Sequence, residues 1–244
     1  MKSTGFDDIP ERIEAERERI LNEYSRRSNS TKSQRYSPDN PVEKFMVARR
    51  VRRARQFLDE AGVILDSGTK CLEIGYGRGG WIPDLLEWGV AESNISGIEL
   101  DETRARVAID RFPSADLRIG DATSLPWNDG SFDLIVVSTV FSSIFDPVVK
   151  RVLADEIVRV LAPNGVTIWY DLAFDNPANP NVRGIKREEI VELFQSLDCQ
   201  LERITLAPPI ARLIVPMSEG LGAVMEKIPF LRSHLLGVLR KVDR

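Results

Sequence analysis

Apolar positions change their period close to residue 70. Before it the spacing is helical: Ile9, Ile13, Ile20 and Tyr24 recur near whole turns, and Val47, Val51, Ala54 and Leu58 mark one face of a second stretch. That second stretch carries Arg49, Arg50, Arg52, Arg53 and Arg55 round the rest of its circumference. Asp7, Asp8 and Pro10 suit a first turn, so a helix is expected over the first 27 residues. The polar run SNSTKSQRYSPDNP, residues 28–41, separates the two helices.

Beyond Lys70 short β-rich runs alternate with helical ones. KCLEI (70–74), NISGIE (94–99), ADLRIG (115–120), FDLIVVS (132–138) and GVTIWYDLA (165–173) are expected strands, with helices near 80–88, 101–111, 148–161 and 186–197. This alternation predicts a parallel sheet with crossover helices. CQLERITL (199–206) and the closing HLLGVLRK (234–241) have no helix of ordinary length between them, which suggests an antiparallel hairpin at the sheet edge. The expected architecture is α/β: a Rossmann-like, doubly wound, seven-stranded sheet with that C-terminal hairpin and an N-terminal helical cap. Residues 1–65 form the cap and 66–244 the sheet domain, with the proline-bearing apolar stretch 207–233 as an irregular lid between the last two strands.

Composition narrows the classes. The chain has 244 residues, 43% of them hydrophobic, which is enough for one sizeable core, and a net charge of -4, which offers no general attraction to nucleic acid. No stretch approaches the roughly 20 apolar residues that span a bilayer, and the acidic start MKSTGFDDIPERIEAERE is unlike a secretory signal, so a cytoplasmic protein is expected. Cys71 and Cys199 sit in separate apolar segments with no histidine near either, as reduced structural thiols do.

The candidate chemistry starts at CLEIGYGRGG, residues 71–80. In a doubly wound sheet ligands lie outside the carboxyl ends of the strands, and Gly75, Gly77 and Gly79 follow the first of them. Glycines there let the backbone approach a ligand, and the next helix offers unpaired N–H groups. Gly75, Gly77 and Gly80 also satisfy G-x-G-x-x-G, so a dinucleotide such as NAD(P) must be weighed. A pyrophosphate gains nothing from the nearby Glu73, whereas S-adenosylmethionine, with an ammonium, a sulfonium and no phosphate, does. Glu99 ends the second strand, where a carboxylate accepts from both ribose hydroxyls of either cofactor. Asp121 and the Ala122 N–H follow the third strand, where they can read both edges of adenine.

EIGYGRG, GIELD, GDATSLPWNDGSFDLIVVS and VLAPNGVTIW, in that order and spacing, resemble a class I S-adenosylmethionine-dependent methyltransferase over residues 70–206. The resemblance implies that Glu73, Gly75, Gly77 and Gly79 hold the methionine end, Glu99 the ribose, and Asp121 with Ala122 the adenine. It places Ser138 at the donor methyl and folds a leader over the donor, with Tyr36 as its contact. It also implies S-adenosylhomocysteine as product.

After the fourth strand, amino-methylating members carry Asn or Asp before Pro-Pro-Tyr; here the run is STVFSS (138–143), which favours oxygen or carbon of a small molecule, sugar or lipid-linked acceptor. Asp146, Asp171, Asp175 and His234 are the candidate bases by location. Asp146 with Asp175 and Asn176 resembles the magnesium ligands of catechol-type enzymes, but the offsets are loose and no metal is expected. Trp127 is a candidate adenine neighbour or a core residue. The apolar 207–233 segment is a candidate wall for a lipid-linked acceptor and a candidate membrane contact. An S-adenosyl-binding protein without transfer activity and an NAD(P)-dependent oxidoreductase remain the alternatives.

Overall fold

The structure is a computed structural model and describes residues 8–28, 40–177 and 179–241, so Tyr36 lies outside the described residues. Strands β1 (Cys71–Ile74), β2 (Ile95–Glu99), β3 (Asp116–Ile119), β4 (Phe132–Ser138), β5 (Leu161–Leu172), β6 (Leu197–Leu206) and β7 (Arg232–Lys241) form one sheet. Its order is β3-β2-β1-β4-β5-β7-β6. β1 to β5 pair in parallel and β7 runs antiparallel to both neighbours. The chain steps outward one way from β1 to β3 and the other way from β4 onward. The switch point between β1 and β4 is where such sheets open a crevice.

All four residues of β1 are buried, as expected of a central parallel strand covered on both faces. One layer holds α2 (Pro41–Glu60), α3 (Ile82–Glu87) and α4 (Glu102–Arg111); the other holds α5 (Pro147–Val160), α6 (Arg187–Leu193) and, beyond them, α1 (Ile9–Ser28). β5 shows the alternation that links them. Val166, Ile168 and Tyr170 face the α2–α3 layer, while Trp169 packs on Phe141 and Phe194 with ring centroids 4.8 and 5.8 Å away. Helix starts are fixed locally: Asn40 accepts from Val42 N at 2.9 Å and Asp101 from Arg104 N at 2.8 Å, and a proline sits in the first turn of α2, α3 and α5.

Three expectations need correction. Residues 207–233 are not an irregular lid: they form α7 (Pro208–Ile214) and α8 (Glu219–Glu226), followed by a 3₁₀ turn. Pro208 sits in a first turn, where its missing N–H has no partner to lose. On α2, Ala54 and Leu58 are buried as expected, but Val47 is exposed and Phe45 and Phe57 are buried with them, because the larger aromatic surfaces take the inward stripe. β5 begins at Leu161, paired with Phe132 across a register irregularity, rather than at Gly165.

Candidate functional site

The glycine turn has the backbone its sequence calls for. Gly75, Gly77 and Gly79 have φ of 72°, 57° and 115°, all in the left-handed region that a side chain would strain. Gly75 N donates to Ile98 O at 2.8 Å, tying the turn to β2. Glu73 lies beneath the turn: 1% exposed, it accepts from Trp81 N at 2.9 and 3.0 Å. A side chain at Gly80 would stand 1.9 Å from Glu73 Oε1, so that glycine is there for the carboxylate. Burial pushes Glu73 up to about 8, against the Trp81 N–H bond and the charge of Arg50, which favour ionisation.

Glu99, also buried, accepts from Gly77 N at 2.8 Å and Asp101 N at 2.9 Å, so it ties the turn to α4. Asp121 Oδ1 accepts from the N–H and hydroxyl of Thr123 at 2.8 and 2.7 Å, which fixes the carboxylate at its strand tip. Thr139, next to Ser138, is held at φ 56° by donating its N–H to Tyr170 O at 2.7 Å. Such strain in a non-glycine residue is common at ligand sites.

Glu99, Asp121, Ala122 and Ser138 line one cavity of about 110 Å³, at the carboxyl ends of the parallel strands. Gly75 also lines it, whereas Glu73, Gly77 and Gly79 do not reach it. α1 closes the far side with Ile13, Ile20 and Tyr24. The helix is latched there: Arg12 donates twice to Asp146 at 2.9 Å, Glu16 accepts from Phe145 N, and Arg19 donates to Ser143 O. Arg104 was not singled out from sequence, yet it lines the cavity, lies 4.6 Å from the Tyr24 ring centroid, and would meet a side chain at Gly77 at 2.6 Å. The available signal was its place in the first turn of the helix after Glu99. A larger hollow of about 1190 Å³ lies at the opposite, amino ends of the strands, lined by Gly62, Thr69, Asp133 and Lys241 among others. In this sheet type ligands bind at the other end.

The four candidate bases do not reach the cavity wall. Asp146 caps α5 through Val148 and Val149 N–H groups; burial opposes its ionisation, but Arg12 and those N–H groups outweigh it and lower its pKa. Asp171 is buried and accepts from Ser142 N at 3.0 Å; burial raises it to about 6. Asp175 accepts from Gly184 N at 2.9 Å, shaping the loop after β5. His234 stacks flat on Tyr170 at 4.7 Å, and burial lowers it to about 3, so its ring is neutral at pH 7. Trp127 packs on Phe132 and donates to Asp116 at 3.0 Å, away from the cavity. Burial pushes the Cys71 thiol up to about 12 and Cys199 up to about 11.

The glycine turn at φ > 0, with carboxylates at neighbouring strand tips, is a cradle chemically suited to an adenosyl sulfonium. Residues 72–169 match the family model described as a methyltransferase domain. Among curated relatives, the phthiotriol/phenolphthiotriol dimycocerosates methyltransferase 1 of Mycobacterium ulcerans is 36% identical over 112 residues, 45% of this chain and 40% of that one. The matched stretch covers 54%, 34% and 40% of the length of three such relatives. Geranyl diphosphate C-methyltransferase of Streptomyces coelicolor, solved with Mg²⁺, geranyl diphosphate and S-adenosyl-L-homocysteine, shares the fold. It superposes with a TM-score of 0.59 at 15% identity, covering 84% of this chain and 88% of that one. The [4+2]-cyclase SpnF gives 0.58 at 19% identity over 78% and 81%.

Proposed function

We propose that the chain is a class I, S-adenosylmethionine-dependent methyltransferase, a reading supported by the match of residues 72–169 to a methyltransferase domain, and that it methylates oxygen on a small-molecule, sugar or lipid-linked acceptor. The observation that carries this most is that Glu99, Asp121, Ala122 and Ser138, from three strand tips, share one cavity beside the glycine turn. Glu99 takes the ribose hydroxyls, Asp121 and Ala122 take adenine, and Ser138 lies at the methyl. Gly75, Gly77 and Gly79 give the methionine end its close approach, with Glu73 shaping the turn from beneath. The donor supplies the methyl cation equivalent; the protein's part is to align the acceptor and keep water out. α1 supplies the cover. Ligand pockets usually run to about 300 Å³ or more, so donor entry requires α1 and Arg104 to move outward from the 110 Å³ cavity.

Leu213, Met217, Leu221, Val224 and Phe230 stand exposed on α7, α8, the link between them and the turn that follows, an apolar surface that supports a lipid-linked acceptor presented at a membrane. No helix among the described residues is long and apolar enough to cross a membrane. Because none of Asp146, Asp171, Asp175 and His234 reaches the cavity, the acceptor oxygen is best matched to one that ionises readily, such as a phenol or enol.

Incubation with methyl-labelled S-adenosylmethionine and a lipid extract, followed by mass spectrometry, tests this: a labelled O-methyl lipid is expected. Label on carbon or nitrogen overturns the choice of atom. Saturable NAD(P) binding with no S-adenosylhomocysteine binding, read by calorimetry, overturns the donor. The shared fold of a cyclase favours one second possibility, adenosyl binding without transfer, which predicts tight donor binding and no labelled product in any fraction.

A further inference from the structure

The five arginines of α2 divide by their partners. Arg49 pairs with Glu226 of α8, Arg53 with Glu202 at 2.9 Å and Glu60 at 2.8 Å, and Arg55 with Asp59 at 3.0 Å, while Arg52 is exposed. Arg50 turns inward. Its guanidinium carbon lies 4.4 Å from the Trp81 ring centroid and 5.0 Å from that of Tyr170. Its Nε is shut off from solvent with no acceptor among the described residues, and so is the indole Nε1 of Trp81, a side chain 1% exposed. No carboxylate among the described residues comes within 4.0 Å of Arg50, although Glu43, Glu73 and Asp84 feel its charge from further away.

A guanidinium that rests its face on aromatic rings keeps its N–H donors in the plane, free for a bidentate acceptor. Buried donors left unpaired are costly, so two from different elements close together call for a partner. Neither side chain lines the 110 Å³ cavity, but both lie next to its wall: Trp81 follows directly on the glycine turn that carries Gly75, and Tyr170 O holds Thr139, itself a lining residue, beside Ser138. Of the carboxylates whose charge reaches Arg50, Glu73, pushed up to about 8 by burial, holds its proton at pH 7 and so opposes such a partner least.

We propose that Arg50, with the Trp81 indole N–H, recognises an oxyanion, a carboxylate or phosphate, carried by a ligand of the transfer site. The assignment rests on the donor reading above. Two sources share this chemistry: the amino-acid end of the donor, and an acidic group on the acceptor. Calorimetry on Arg50→Met and Arg50→Lys, both checked for an unchanged melting temperature, separates them. The probes are S-adenosylhomocysteine and 5′-methylthioadenosine, which keeps the nucleoside and thioether but lacks the carboxylate.

A loss on the order of 10- to 100-fold for S-adenosylhomocysteine in Arg50→Met, smaller in Arg50→Lys, with 5′-methylthioadenosine unchanged, assigns the donor carboxylate. Unchanged affinity for both, with labelled product lost only from the anion-exchange-retained fraction of an extract, assigns the acceptor. Equal weakening of both probes means Arg50 merely props the two rings, and overturns the proposal. So do variants that match the wild type in every measurement. If the wild-type chain binds no S-adenosylhomocysteine, the donor reading falls and takes this assignment with it; if it binds and the variants bind and turn over alike, only the oxyanion site is lost.

Discussion

The two halves of the sheet solve the same problem, holding polar groups in a dry interior, by different means. On the β1–β3 side each carboxylate is satisfied by backbone a few residues away or across one strand: Asp121 by Thr123, Glu99 by Asp101 and Gly77, and Glu73 by Trp81. On the β5–β7–β6 side the partners are remote. Tyr170 lies 3.0 Å from the Thr205 hydroxyl and stacks on His234, Arg53 reaches Glu202, and Arg49 reaches Glu226. The first arrangement builds a fixed cradle from short motifs. The second builds a surface whose chemistry depends on how distant helices settle on the sheet edge, and where the two arrangements meet, Arg50 Nε and Trp81 Nε1 have no partner among the described residues.

Substitutions on the cradle side should therefore be severe and local. Gly80→Ala is expected to be the worst: its Cβ has no room against Glu73, and overpacking of a buried, hydrogen-bonded group costs roughly 3 kcal/mol. Chemical denaturation reads it directly; a variant as stable as wild type would show that Glu73 is not held where described. Next comes Glu99→Ala, expected to weaken S-adenosylhomocysteine binding by about 10- to 100-fold in calorimetry and to leave the buried Gly77 N–H and the part-buried Asp101 N–H unpaired. Asp121→Ala follows with a smaller loss, because that carboxylate is less enclosed. Wild-type affinity in both would separate the cavity from the donor.

A gentler test uses pH. Glu73 is raised to about 8 from an unfolded value of 4.5, so the folded chain holds its proton more tightly than the unfolded one does. The stability this lends is complete below pH 4.5 and is lost as pH rises through about 8. Across that window the unfolding free energy should fall by about 1 kcal/mol per pH unit from this group, and Glu73→Gln should flatten the slope. An equal slope in the variant would assign the effect to Asp171 or Asp84, both raised by burial to about 6. The smallest effect is expected on the other half. Phe230→Asp lies on an exposed side chain and should change stability by less than about 0.5 kcal/mol while reducing sedimentation with phospholipid vesicles. Unchanged vesicle binding would take the membrane out of the proposal.

This division also explains what could be read in advance. For the glycine turn, Glu99, Asp121, Ala122 and Ser138 it was position that could be read, because period-2 strands and strand-end motifs fix where a residue sits, and the structure puts four of them on one cavity with Gly75. Glu73 was legible as part of the motif but not as a buried prop, since nothing in the spacing says which way a strand's last side chains turn. Asp146 looked like a metal or base position and caps a helix, its role set by Arg12 some 134 residues away in sequence.

By itself the sequence determined the alternation of strands and helices, the antiparallel closing pair and the turn that must carry glycine, because these follow from side-chain period and from φ values only glycine takes without strain. Only the tertiary structure decided that α1 lies across the cavity, that residues 207–233 contain two helices, and that one of five neighbouring arginines faces inward with no carboxylate partner among the described residues. Those outcomes depend on which distant surface each amphipathic helix meets, a choice that burial across the whole fold makes and that no local pattern encodes.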